Sequence, residues 1–192
     1  MYAGIPFHAN WNGRDIRMTQ LIDNMSHPDY RQATNGRKGL FIQTAEHFFD
    51  VYGGEHASVY HYGFPGKKHF RLGSLFLHYS MVSDGGAFLE IEPKKLKSSL
   101  FPILGKVIKV DKASVTFDQF WETAKQYYPF SIKRDSQFIQ WRFFEHPIHN
   151  YTIYAISNQK AKILAWAAIS VKESTATVVD ILALPGQKAN RK

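Results

Sequence analysis

Asp23 is the one carboxylate in a β-compatible run over residues 16–26. A carboxylate held there could act as a general base, directly or through water, if partial burial raised its pKa. The same residue would serve equally as a hydrogen-bond acceptor within a sheet, and both readings stay open. Tyr62 closes the run "ASVYHY" and carries a phenol able to act as a general acid, although an ordinary aromatic strand position accounts for it more simply. Between them lies "NGRKGLF", residues 35–41. Gly36 and Gly39 allow close backbone approach, Arg37 and Lys38 add two cations, and a helix-like run follows. These are the parts of a phosphate cradle at a helix N-terminus, and equally those of a solvated basic turn.

Other chemistries are less well served. The spacing G-x-x-x-x-G-K-[ST] does not occur, and no G-x-G-x-x-G follows a strand, which disfavours P-loop hydrolysis and a Rossmann dinucleotide site. The nine histidines show no H-E-x-x-H or comparable ligand spacing. Thiolate catalysis and disulfides are excluded by the absence of cysteine, which is compatible with the reducing cytoplasm expected here. His27, before Pro28, reads as a turn residue.

The elements that must position these groups begin with two β-compatible runs, residues 2–9 and 16–26, separated by "NWNGR". Its Asn-Gly pair predicts a hairpin. A helix is predicted over 38–52, with Leu40, Phe41, Thr44, Ala45, Phe48, Phe49 and Val51 on a broad apolar face. A strand is predicted over 57–62, giving the order β-β-α-β. Residues 63–73 carry "GFPGKKHFRLG", and 75–82 with 87–92 read as short segments around "SDGG". Thr116 and Gln119 are placed as a capping box opening a helix whose inner face is Phe117, Phe120, Trp121 and Ala124. A second short helix is expected over 135–144, with Trp121, Trp141, Phe143 and Phe144 in the core. Strands follow over 151–157, 163–171 and 176–184. A domain boundary is expected near 105–113.

The chain of 192 residues is 44% hydrophobic, enough for one moderate core or two small ones. Its net charge of +8 and pI near 9.6 favour an anionic partner without choosing among cofactors, glycans, membranes and nucleic acid. No motif selects a specific nucleic acid, and no run reaches the roughly 18 apolar residues of a spanning helix. Lys94, Lys95, Lys97, Lys106, Lys109 and Lys112 read as a solvated basic segment around the boundary.

"LIDNMSHPDYR" followed by "GRKGLF" and "VYHYGFP" resembles the GNAT superfamily, the acyl-CoA N-acyltransferases. The likeness spans about residues 2–80. The later stretch "RDSQFIQWRFFEHPIHNYTIYAI", with a following strand that holds Asp180, resembles the second half of tandem GNAT-like proteins. An internal echo accompanies it, because "LIDNMSHPD" and "VVDILALPG" both place Asp five residues before Pro. The resemblance implies an α/β (α+β) fold, a GNAT-like mixed sheet with flanking helices, partly repeated in tandem. Residues 1–105 would form an acyl-CoA-binding half lacking its N-terminal strand and helices, and 106–192 a second half that is C-terminally incomplete. The chain would then be the middle of a longer protein and, alone, a poor enzyme.

The resemblance further implies acetyl-CoA or another acyl-CoA as co-substrate and a small amine as acceptor, such as an amino sugar. Asn24, Met25 and Ser26 would pair with the pantetheine arm. Arg31, Gly36, Arg37, Lys38, Gly39 and Leu40 would face the pyrophosphate, in a loop that "QATN" makes longer than the usual R-G-x-G. Asp23 would take the amine proton and Tyr62 would protonate the departing thiolate. The alternative is a non-catalytic GNAT-fold module that binds a partner or supports a larger chain. Nothing in the residues selects an oligomeric state.

Overall fold

The computed structural model describes residues 1–30, 39–83 and 105–185. The chain divides into two compact units, the first of Met1–Ala9 and Asp15–Ile91, the second of Asn10–Arg14 and Glu92–Lys192. The predicted segment 87–92, and Lys94, Lys95 and Lys97, lie outside the described residues.

In the N-terminal region, β1 (Ala3–Trp11) and β2 (Arg14–Ile22) form the hairpin that the Asn-Gly pair predicts. Asn12 at φ 51° and Gly13 at φ 87° supply the two left-handed residues of a tight turn whose twist matches the strands. β2 stops at Ile22, short of the expected residue 26, because Asp23 at φ 47° leaves the extended region. α1 (Leu40–Tyr52) follows. Ile42 and Ala45 form its buried stripe, flanked by half-buried Phe41, Phe48 and Phe49. Leu40 and Val51, expected on that face, are exposed. Leu40 stands two residues from Ile42, about 200° round the helix.

β3 (Tyr60–Tyr62) runs parallel to β2 with Met18 opposite Tyr60, Thr19 opposite His61 and Gln20 opposite Tyr62, so the order in this unit is β3-β2-β1. The strand expected over 57–62 is shorter, since residues 53–58 form a turn with Gly54 at φ 91° and a bridge from Gly53 to Ser58. Thr19 and Ser58 satisfy each other's buried hydroxyls at 2.6 Å. α2 (Lys67–Phe76) runs through "GFPGKKHFRLG" and takes only the first two residues of the short segment expected over 75–82, the rest of which is irregular. Gly73 is its one buried residue, lying under Tyr79. Little apolar surface marks such a helix in the sequence.

The second unit contains β4 (Lys106–Val110), α3 (Val115–Ala124), β5 (Phe130–Ile132), α4 (Ser136–Ile139), β6 (Thr152–Ser157), β7 (Ile163–Lys172) and β8 (Thr175–Ala183). α4 runs on as a π-helical turn over Gln140–Phe144. β4, β6, β7 and β8 form an antiparallel sheet in that order. On α3 the buried residues are the expected Phe117, Phe120, Trp121 and Ala124. They pack with Ile139, Phe143, Ile153, Ala155, Trp166, Ala168 and Leu182. Burying each large side chain there contributes about 1.5–3 kcal/mol.

Two expectations for this unit need correction. The N-cap of α3 is Ser114, whose hydroxyl meets that of Thr116 at 2.7 Å and makes no cap bond, so the proposed box at Thr116 and Gln119 is not formed. Trp141 is exposed rather than in the core, while Phe143 is buried and Phe144 packs at the core margin. The π-helical turn sets the residues around Phe143 off an unbroken 3.6-residue repeat.

Asp135 caps α4 by accepting from the Phe138 N–H at 2.9 Å, and it pairs with Lys133 at 2.8 Å. Burial works against its ionised form, but the Lys133 bond and charge together with the backbone donors hold its carboxyl below the usual carboxylate range. The hairpin tip, Asn10–Arg14, also belongs to this unit. Asn10 Nδ2 donates to the carbonyls of Lys125 at 3.0 Å and Tyr128 at 2.8 Å, while its Oδ1 accepts from Gly13 N–H at 2.9 Å.

Candidate functional site

β2, α1 and β3 form one β-α-β crossover, and its topology concentrates the candidate residues. Because β2 and β3 are parallel, their carboxyl ends share an edge of the sheet, and the chain leaving β2 must enter α1 from that edge. Asp23 follows the end of β2, Tyr62 ends β3, and Gly39 with Leu40 starts α1. Carboxyl ends of strands and helix N-termini are where open α/β sheets hold ligands.

Each candidate has a definite local setting. Asp23 is exposed, so the partial burial on which its role as base was expected to rest is not supplied by the described residues. Its left-handed backbone turns residues 24–26 away from the β2 ladder. The first residues of the chain take up several of the groups released there. Met1 donates its ammonium to Met25 O at 2.8 Å and accepts from Met25 N–H at 3.0 Å. Asn24 Oδ1 accepts from Ala3 N–H at 2.8 Å. Both backbone groups of Met25 are thus engaged, and a pantetheine arm pairing at Met25 would have to displace Met1. Met25's side chain is exposed, and Ser26 is half-buried.

A 3₁₀ turn over Pro28–Tyr30 follows, with His27 Nδ1 3.6 Å from Asp29 on the surface. Arg31, Gly36, Arg37 and Lys38 lie outside the described residues. Gly39 is buried as the N-cap of α1 in an extended conformation. Among the described residues no side chain caps this end, and no acidic residue stands in its first turn. The helix start therefore keeps its partial positive charge uncompensated by its own residues. Leu40 is exposed.

Tyr62 is half-buried, and its hydroxyl donates to Gln20 Oε1 at 3.4 Å. Successive strand residues face opposite sides, so its neighbour His61 points the other way, toward α1. Sequence reading did not single out His61. Its ring lies 5.1 Å from Phe49 and 5.9 Å from Phe48, with Nε2 buried and without a partner among the described residues. Burial lowers its pKa against the opposing hydrogen bond to the Tyr52 carbonyl. His69 on α2 shares this setting, edge-on to Phe41 at 4.9 Å and stacked on Tyr79, with its Nε2 also buried and unpartnered and its pKa lowered by burial. The Tyr2 and Tyr79 hydroxyls hydrogen-bond within the same cluster, and burial together with this bond pushes the Tyr2 phenol up. The tyrosines on either side of His61 are its sequence signal, and the basic stretch "KKHFRL" gives none for His69.

Asp180, the counterpart of Asp23 in the internal echo, has a different local setting: it lies within β8 and pairs with Arg134. Among the described residues, no group of three or more His, Asp or Glu could hold a metal ion, and no helix is long and apolar enough to cross a membrane.

No protein-family model and no curated protein matches the chain. Among solved structures it is similar to a conserved protein of unknown function from Enterococcus faecalis V583, a probable N-acyltransferase. The match covers 96% of this chain and 44% of that one, with a TM-score of 0.60 and 12% identity. The chain therefore spans less than half the length of that protein. At this identity the likeness shows the fold, a mixed α/β architecture consistent with a GNAT-like fold.

Proposed function

We propose that this chain is an acyl-CoA-dependent N-acyltransferase, or a part of one, that moves an acetyl or other acyl group from a CoA thioester to a small amine. The observation that carries the reading is the shared sheet edge that holds Asp23, Tyr62 and the uncapped start of α1. The fold likeness to a probable N-acyltransferase supports it. In this reading Gly39 and Leu40, with Arg31, Gly36, Arg37 and Lys38, receive the pyrophosphate. Asn24, Met25 and Ser26 lie along the pantetheine arm, and Met1 yields its place on Met25. The amine nitrogen attacks the thioester carbonyl and forms the amide, its proton passes to Asp23, and the C–S bond breaks as Tyr62 protonates the sulfur. An amino sugar is one acceptor of the required type. The second unit acts as a further GNAT-like half, in the cytoplasm.

The second reading is a non-catalytic GNAT-fold module. It is favoured by the exposure of Asp23 and by the engagement of Met25 with Met1. Calorimetry with acetyl-CoA separates the two. Micromolar binding that weakens at least tenfold in Arg37→Ala and Lys38→Ala supports the cofactor site, since one charge-assisted contact accounts for about 1.5–3 kcal/mol. No heat at millimolar ligand sinks it. Where binding is found, thiol release with a panel of amines tests transfer. Asp23→Asn is expected to lower it by about 10²–10⁴-fold, the usual contribution of a general base, while binding remains.

A further inference from the structure

A groove of about 290 Å³ opens on the second unit, lined by His149, Tyr151, Ser170, Lys172, Thr177 and Val179. Its floor is the outer end of the β7–β8 ribbon, where Ser170 stands directly opposite Thr177. Strand alternation puts Ser170 on the same face of β7 as buried Trp166 and Ala168, so the groove continues the core face beyond the point where it is covered. Between Ala168 and Ile169 the register passes over Val179, a bulge of the kind that re-aims side chains.

The polar lining is made of donors. Among the described residues it offers one ammonium, one imidazole and three hydroxyls, with no carboxylate. Ser170, Lys172 and Thr177 make no side-chain hydrogen bond or ion pair among the described residues. Glu173, the nearest acid in sequence, lies outside the lining in the two-residue turn to Thr175. The rim adds a further imidazole. His146 stacks obliquely 5.0 Å from His149 and 5.5 Å from Tyr151. Its Nδ1 accepts from the N–H groups of Ile148 and His149, so a neutral ring carries its proton on Nε2. Its pKa is lowered, first by desolvation and then by the neighbouring His149 and Arg142. Convergent donors without a competing carboxylate suit a compact anion with several acceptor oxygens, while Tyr151 and Val179 provide an apolar wall.

We propose that this groove binds a phosphate group, as the free ion or as the phosphate of a small metabolite, with Lys172 as charge partner and the Ser170 and Thr177 hydroxyls as donors. The site is independent of the acyl-CoA reading, because it involves neither the β2–β3 edge nor α1. The test is titration of the ¹⁵N-labelled full chain with inorganic phosphate at constant ionic strength, with chloride as the matched control. Saturable shifts should gather at His149, Ser170, Lys172 and Thr177 under phosphate only. Lys172→Gln should weaken binding roughly tenfold or more, the loss expected of one charge-assisted contact, whereas Lys160→Gln, in a turn outside the groove, should leave it unchanged. Ser170→Ala in the folded chain should weaken it by a smaller factor. Equal shifts with chloride, no saturation, or unaltered binding in Lys172→Gln would overturn the proposal. A small phosphorylated sugar that binds more tightly than free phosphate would assign the metabolite as the source; equal affinity would assign the free ion.

Discussion

Arg134 Nε–H is shared by both carboxylate oxygens of Asp180, at 3.2 and 2.9 Å, with side chains only 23% and 16% exposed. The pair joins the segment after β5 to β8, the last strand of its sheet among the described residues. Removing one member leaves the other half-desolvated and unpaired. Arg134→Leu is expected to cost about 3 kcal/mol in urea unfolding, and the double variant Arg134→Leu, Asp180→Leu to recover most of it. A double variant as unstable as the single one would mean that the arginine acts through packing alone.

Gly73 on α2 is expected to resist replacement. A Cβ there would meet the ring of Tyr79 at closer than van der Waals distance. Gly73→Ala would normally gain about 0.5–1 kcal/mol in a helix, but here the overpacking penalty of about 1–3 kcal/mol dominates. The displaced ring would also lose its hydroxyl bond to Tyr2. Thermal unfolding read from tyrosine absorbance should show the loss, and Gly73→Ala with Tyr79→Ala should relieve it.

Stability of the first unit is expected to fall in mild acid. His61 and His69 both have pKa values lowered below the ordinary 6.5 by burial. Above that value both rings are neutral in folded and unfolded chains, so they contribute no slope. Below it the unfolded chain takes up protons that the folded unit refuses, and stability drops until pH passes the folded values. Amide exchange of α1 measured between pH 7.5 and 5 should show protection declining from about 6.5 downward. His61→Phe with His69→Phe should flatten that decline.

Trp166 is 1% exposed, and its indole N–H is buried without a partner among the described residues. Trp166→Ala is expected to cost about 3–5 kcal/mol by opening a cavity beside Phe117 and Phe143. Trp166→Phe should cost far less, because it also removes an unsatisfied donor whose burial is unfavourable by about 1–3 kcal/mol. Comparable losses in the two variants would indicate that the N–H has a partner in solution.

The elements legible in the sequence were those set by local rules. Asn12-Gly13 set the hairpin, and the helical spacing of Phe117, Phe120, Trp121 and Ala124 was enough to mark the inner face of α3. β6, β7 and β8 stood out as apolar runs between polar turns. α2 was hidden because Gly66 and Gly73 bracket a basic stretch whose one buried residue is a glycine. The end of β2 was misplaced because Asp23 adopts a left-handed conformation that nothing in "LIDNMS" announces. Asp23 and Tyr62 were named from the sequence, but the shared strand edge became visible only with the parallel register of β2 and β3. The phosphate groove draws on residues from 149 to 179, so no local spacing could reveal it.

Asn10 gives the second unit a timetable. Its amide fastens to the carbonyls of Lys125 and Tyr128, which lie 115 and 118 residues further along the chain. During synthesis at roughly 5–20 residues per second, the hairpin tip leaves the ribosome on the order of 10 s before its acceptors exist. Through that interval a nascent chain carries a tight turn, with Trp11 beside it, that has no docking surface of its own. Chaperone occupancy on stalled nascent chains should therefore persist over the hairpin until Tyr128 has emerged, and Asn10→Ala should prolong it.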